Sequence, residues 1–204
     1  MIKQIAAITM TFIMAFAYNA DAREKEQRGT VEKAVNYVQV NNGATAQQVA
    51  MGVKKWKDAS QGQPVFVGSS IRTGIRSVAE IKYDDGTLTR VGSRTNMIIN
   101  DRKLDIKRGY IWGKVDKNKT RGLKIYAPGA VASIVGTEFF VEVNREDSTM
   151  ITVLEGSIAV DGKKGSTIVT EGTYSVIDKN GNVTDPVAFN KDEVIEYYLE
   201  VVKM

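Results

Sequence analysis

The chain has 204 residues, a quarter of them charged, a formal net charge of +4, and neither histidine nor cysteine. Without those two residue types there is no imidazole or thiolate to hold zinc, copper or haem, no Ser-His or Cys-His nucleophile pair, and no disulfide. The length fits one domain, or one domain with a small appendage, whose core can form unaided.

Met1 to Gln4 carries one positive charge, Lys3, and a nearly unbroken apolar run follows from Ile5 to Tyr18, ending at Ala20-Asp21-Ala22. Charged start, apolar middle and small-x-small end predict a secretory signal peptide over 1–22, cleaved after Ala22. The apolar run is shorter than the roughly 20 residues a membrane-spanning helix needs, and no later stretch reaches that length. The expected product is periplasmic or secreted and not an integral membrane protein. Losing Lys3 and Asp21 leaves the net charge unchanged.

Residues 23–52 read as an N-terminal extension with the first strands. Arg23 to Gly29 is expected to be a frayed leader, and Thr30 to Val40 is extended up to Asn41-Asn42-Gly43, a two-residue turn signal. Thr45 to Lys55 fits either a short helix with Val49, Val53 and Trp56 on one face or a second extended arm. From Ser60 onward helical period disappears. Glu80 to Val91 reads as a hairpin closed at Asp84-Asp85-Gly86-Thr87, because Asp-Gly supplies the positive φ values of a tight turn.

Three segments share one design: Leu104 to Trp112, Ile151 to Val160 and Ile168 to Val176 each place a charged residue and a glycine between two β-rich arms. They read as strand-kink-strand units. Tyr126 to Val143 adds a break at Pro128-Gly129, an apolar run, an interruption at Gly136-Thr137, and then Phe139, Val141 and Val143 alternating with Phe140 and Glu142. That alternation predicts a strand with one buried face, and Gly136 marks the place where the sheet changes direction. The fold class is therefore all-β, a stack of short strands in a β-solenoid or sandwich-like arrangement. Residues 177–204 form a linker and a C-terminal helix: Asn190 caps it, and Val194, Ile195, Tyr198, Val201 and Val202 recur at helical spacing. That helix either closes the module or docks a partner.

Two blocks carry a resemblance. Gly62 to Thr87 contains "I-R-T-G", a serine, a strand and "D-G-T"; Tyr126 to Val143 contains "V-G-T-E-F" and is followed by "V-L-E-G-S-I-A-V" at Val153 to Val160. In wording, order and spacing these are similar to the FecR domain family, periplasmic all-β modules best known from regulators of TonB-dependent iron uptake. The resemblance covers about 53–176. It implies that Arg72, Thr73, Gly74, Gly86, Gly136, Thr137, Glu138, Phe139, Glu155 and Gly156 are family motif positions with a structural role. Members that act as anti-sigma regulators carry a cytoplasmic domain and a membrane helix ahead of the module; here a cleavable leader is expected instead. The implied molecule is a stand-alone exported FecR-like protein.

Candidate binding residues fall in two places. Arg72 and Arg76, with Thr73, Gly74 and Ser77, could form an anion-binding corner, or the hydroxyls could satisfy turn amides while the arginines lie over the sheet. Lys114, Lys117, Lys119, Arg121 and Lys124, against the single acid Asp116, hold as much net charge as the entire chain. They form either a solvated hairpin loop between Trp112 and Tyr126 or a surface for an acidic partner. Nucleic acid is not expected, since its binding needs a wider basic face with stacking aromatics.

Acidic residues that could face each other across a sheet are Glu138 with Glu142 and Glu155 with Glu171; glycoside hydrolysis would depend on their separation. Gly162-Lys163-Lys164-Gly165-Ser166-Thr167 does not complete a phosphate-loop motif. No cofactor is implied. The sequence reading is a non-enzymatic protein-interaction or assembly component of the bacterial cell envelope, with another envelope protein or an anionic envelope polymer as partner. The alternatives are a glycan- or polymer-binding module and a periplasmic regulatory component of transport-linked signalling.

Overall fold

The structure, a computed structural model, describes residues 26–43, 56–118 and 122–203. The expected leader over 1–22, the ambiguous stretch 45–55, Lys119 and Arg121 lie outside the described residues. The β-rich runs form β1 (Gln27–Val35), β2 (Val38–Asn41), β3 (Lys57–Asp58), β4 (Pro64–Phe66), β5 (Ser69–Thr73), β6 (Val78–Tyr83), β7 (Leu88–Val91), β8 (Asn96–Asn100) and β9 (Lys103–Lys114). They continue with β10 (Leu123–Ala127), β11 (Ala130–Ile134), β12 (Glu138–Val143), β13 (Thr149–Glu155), β14 (Ser157–Gly162), β15 (Gly165–Thr170), β16 (Thr173–Ile177) and β17 (Val187–Ala188). Two short helices, α1 (Lys191–Tyr197) and α2 (Leu199–Val202), follow.

Strand pairing divides this all-β body into two layers. One runs β4-β1-β6-β7-β9-β12-β13-β16-β17. The other runs β3-β2-β5-β8-β9-β10-β11-β14-β15. β9 belongs to both: Lys103 to Arg108 pairs with β8, Gly109 to Lys114 pairs with β12, and the strand bends at Gly109, whose φ is +90°. Inward side chains from both layers, Val31, Ile81 and Val141 from the first and Ile71, Leu104 and Ile158 from the second, form one continuous buried core. Burial of this apolar area is the main stabilising term.

The chain passes between layers at positive-φ kinks. Before β9, Gly62 and Gly68 (φ +79° and +84°) make the crossings from β3 to β4 and from β4 to β5, and Asn36, Arg76 and Arg94 (φ +59°, +50° and +53°) make crossings beside Gly109. After β9 they lie at the opposite end, at Gly136, Gly156 and Gly172 (φ +61°, +87° and +76°). Backbone bonds tie neighbouring crossings together: Gly74 N to Tyr37 O and Arg94 N to Gly74 O at the first end, Val115 N to Thr137 O and Glu171 N to Gly156 O at the second. All three strand-kink-strand units have one arm in each layer, so the arrangement is sandwich-like rather than a solenoid.

Four local expectations change. Gln27 to Gly29 is not frayed: it pairs with β4 and β6, and a Cβ on Gly29 would lie 2.5 Å from Lys82 O. The β6-β7 turn is wider than a two-residue Asp-Gly turn. Tyr83 N bonds to Thr87 O, Gly86 N bonds to Tyr83 O, and of the turn residues only Gly86 has positive φ. The segment after Trp112 is not a hairpin loop, because β9 ends in the first layer beside β12 while β10 runs parallel to β9 in the second layer. Phe140, placed by alternation on the solvent side, is fully buried.

Phe140 is buried because the C-terminal segment covers the outer face of the first layer. Tyr198 and Val201 insert against Val78, Trp112, Phe140 and Leu154 in a second apolar cluster. Asn190 caps α1 as the sequence indicated, its side chain accepting from Asp192 N at 3.0 Å. Arg90 lies over the Trp112 ring at 4.7 Å, pairs with Glu80 at 2.6 Å and donates to Val201 O at 3.0 Å, which holds α2 to the sheet.

Candidate functional site at the Gly136 end

The crossings at the Gly136 end bring the two sequence blocks together. Gly86, Lys114, Lys117, Gly136, Thr137, Glu138 and Glu155 line one cleft of about 470 Å³, with Leu88, Val115, Asp116 and Asn118. The glycines allow this convergence. A Cβ on Gly136 would lie 2.5 Å from Lys117 Cγ and 2.8 Å from its Cα, and a Cβ on Gly156 would lie 2.9 Å from Gly136 O. Thr137 is buried with its hydroxyl within 2.9 Å of Val135 O and 3.1 Å of Ser157 O, and Phe139 fills the core below.

Across β12 and β13, Glu138 stands opposite Glu155, and each faces a lysine. Glu138 accepts from Lys114 Nζ at 2.9 Å and from Trp112 Nε1 at 3.2 Å; Glu155 accepts from Lys117 Nζ at 2.7 Å. The bond to Glu138 and its charge raise the Lys114 ammonium above the usual lysine range, and Glu155 does the same to Lys117. The Lys117 hydrogen bond and charge hold Glu155 below the usual carboxylate range. A glycosidase acid needs the reverse, a carboxyl raised by its surroundings. These opposed carboxylates therefore form an electrostatic belt that ties residues 114–118 to the sheet. Among the described residues, no cluster of three or more candidate ligand side chains is placed to hold a metal ion.

Lys124 stands apart from the cleft. It is exposed on the outer face of the second layer, in register with the exposed Lys103 of β9. Arg72 and Arg76 lie at the Gly109 end and are not brought together with the lysines. Arg72 donates through Nε to Gln39 Oε1 at 2.8 Å and covers Trp56, its guanidinium carbon 4.3 Å from the ring centre. Arg76 is an exposed turn residue whose carbonyl accepts from Asn36 Nδ2. Thr73 Oγ1 donates to Gly92 O at 2.5 Å and accepts from Thr95 N, while Ser77 Oγ accepts from Tyr37 N. The turn hydroxyls thus serve the crossing itself.

Sequence reasoning missed the outer aromatic face. Glu80, Arg90, Trp112, Phe140, Thr152 and Tyr174 are successive register partners across the first layer, and α1 and α2 lie over this row. Beside the helix an apolar cleft of about 230 Å³ remains, lined by Met150, Tyr174, Phe189, Val194 and Tyr197. The helical period of 190–202 was the only signal for this face, and it did not say which strands would be covered.

Residues 69–159 match the family model described as FecR protein. This segment is a FecR domain. It runs from β5 into β14 and contains the I-R-T-G, D-G-T, V-G-T-E-F and L-E-G-S motifs. The two layers extend beyond the FecR domain on both sides, through β1 to β4 and β15 to β17.

Two crystal structures of a candidate anti-sigma factor from Parabacteroides distasonis ATCC 8503 are similar, with TM-scores of 0.55 and 0.54 and 16% identity. Each alignment covers 63% of this chain and 63% of that one, and at this identity the likeness is one of fold. No curated protein matches the chain. Among the described residues no helix is long and apolar enough to cross a membrane.

Proposed function

We propose that this is a non-enzymatic, exported FecR-like module of the bacterial cell envelope that works by protein interaction in regulation or assembly. The observation that carries the reading is the convergence at the Gly136 end: the motif residues build and neutralise a crossing between layers, which leaves the module's surface for contact with a partner. The FecR domain and the fold shared with a candidate anti-sigma factor support the regulatory side of this reading. The apolar run at Ile5 to Tyr18 supports export.

The test is co-purification from envelope extracts with the wild-type protein and with a Lys119→Glu/Arg121→Glu/Lys124→Glu variant. Partners retained by the first and lost by the second support a protein-binding loop. Identical partner sets remove the loop from the account.

A second reading rests on Lys103 and Lys124. Like charges directly opposite in a sheet repel, so this pair favours a bound anion. An anionic envelope polymer would satisfy it, and salt-sensitive co-sedimentation with isolated cell-wall material, lost in Lys103→Glu/Lys124→Glu, is the expected result.

A further inference from the structure

Among the described residues the layers end in four edge strands, and three are poor templates for further pairing. β3 has two charged residues, β4 begins at Pro64, and β17 has two residues and follows Pro186. The fourth, β15, is different: its sequence G-S-T-I-V-T has six residues, no charge and no proline, and among the described residues it pairs only with β14. Ile168, at its middle, is 63% exposed.

The directions of its backbone groups follow from the turn. Lys163 and Lys164 form a two-residue connection closing on Gly162 and Gly165. Antiparallel alternation then points the amides and carbonyls of Thr167 and Val169 toward β14, and those of Ser166, Ile168 and Thr170 away from it. Thr170 bears this out, because its amide donates to Thr173 Oγ1 at 3.1 Å and its carbonyl accepts from the same hydroxyl at 2.7 Å. Ser166 and Ile168 are left as the groups open to another strand.

We infer that β15 is the contact by which two copies of this chain associate, strand against antiparallel strand about a two-fold axis at Thr167. In that register Ser166 of one copy faces Ile168 of the other, so the open amides and carbonyls satisfy each other. The same register sets Lys163 against Glu171 of the second copy, twice by symmetry. Lys163, Lys164 and Glu171 are all exposed, and no ion pair among the described residues uses them. This self-complementarity of charge selects a second copy over an unrelated strand. The second layer then continues without a break from one copy into the other. The inference is independent of the proposed function.

The test is sedimentation equilibrium of the mature protein across the micromolar range. Wild type is expected to dimerise. Ile168→Pro is expected to be monomeric with an unchanged far-ultraviolet spectrum, because the lost N–H does not serve β14. Lys163→Glu should weaken the dimer about tenfold by placing like charges opposite each other, and Lys163→Glu/Glu171→Lys should restore it. A monomeric wild type, a dimer indifferent to Ile168→Pro, or a charge exchange that restores nothing would each overturn the inference; a monomer would leave the edge to another protein's strand.

Discussion

The rings of Phe140 and Tyr198 stack with centroids 4.2 Å apart and planes 15° from parallel, joining the middle of the first layer to the junction of α1 and α2. Tyr198 Oη also donates to Glu142 Oε2 at 2.6 Å. Burial and the nearby Glu142 raise the Tyr198 phenol well above the usual tyrosine range, so it stays a donor at any physiological pH. One residue therefore supplies both the apolar seal and the polar anchor of the C-terminal segment.

Tyr198→Ala should destabilise the protein by about 3–5 kcal/mol, since it removes a buried ring and leaves Phe140 facing a void. Tyr198→Phe keeps the stacking and should cost about 1–2 kcal/mol through the lost bond to the carboxylate. Urea unfolding midpoints of the two variants check the order.

Truncation after Pro186 should uncover Trp112 and Phe140 while leaving the two-layer core intact, because the outer cluster and the inner core share no residue. The expected signs are a red shift of tryptophan emission and binding of a hydrophobic dye, with the strand-type far-ultraviolet spectrum retained. Loss of that spectrum would show that the helix is needed for the sandwich itself.

Gly136→Ala should cost about 2–4 kcal/mol, combining left-handed backbone strain with a collision against the Lys117 backbone. Gly172→Ala has the same kind of φ but nothing within 4 Å of the new methyl, so about 1 kcal/mol is expected. Equal effects in thermal unfolding would show that the close approach at Gly136 does not matter.

The belt at the Gly136 end also sets a pH dependence. The folded pKa of Glu155 is depressed, so its contribution is present above the unfolded value and is lost as pH falls through the folded one. Lys114 and Lys117 are raised, so theirs is present below the unfolded lysine value and is lost as pH rises through the folded ones. Melting temperature should therefore fall toward both extremes, gently because these groups are exposed to solvent. Glu155→Gln should flatten the acid limb and leave the alkaline limb of Lys114 in place.

Some of this architecture is local and so was open to reading from the chain. Glycines at 109, 136, 156 and 172 sit between β-branched arms because only a residue without a side chain takes left-handed φ at little cost, and each one is a kink. The motif residues could be recognised as a set, and Gly136 could be recognised as the place where the chain changes direction. Their meeting with Lys117 could not, because that contact depends on the register of β12 against β9, which sets Glu138 opposite Lys114 although the strands are far apart in sequence.

What the sequence by itself determined is the class of molecule: strands from period-two alternation, kinks from glycine, a capped helix from Asn190, and no imidazole or thiol chemistry from composition. What only the tertiary structure decided is which surfaces remain. It buried Phe140 under Tyr198, neutralised Lys114 and Lys117 with Glu138 and Glu155, held Arg72 against Gln39 and Trp56, and left the edge of β15 open. Periodicity is a property of neighbouring residues along one backbone. Exposure and charge pairing belong to groups brought together across layers, and they are fixed by register and by the side on which each crossing is made.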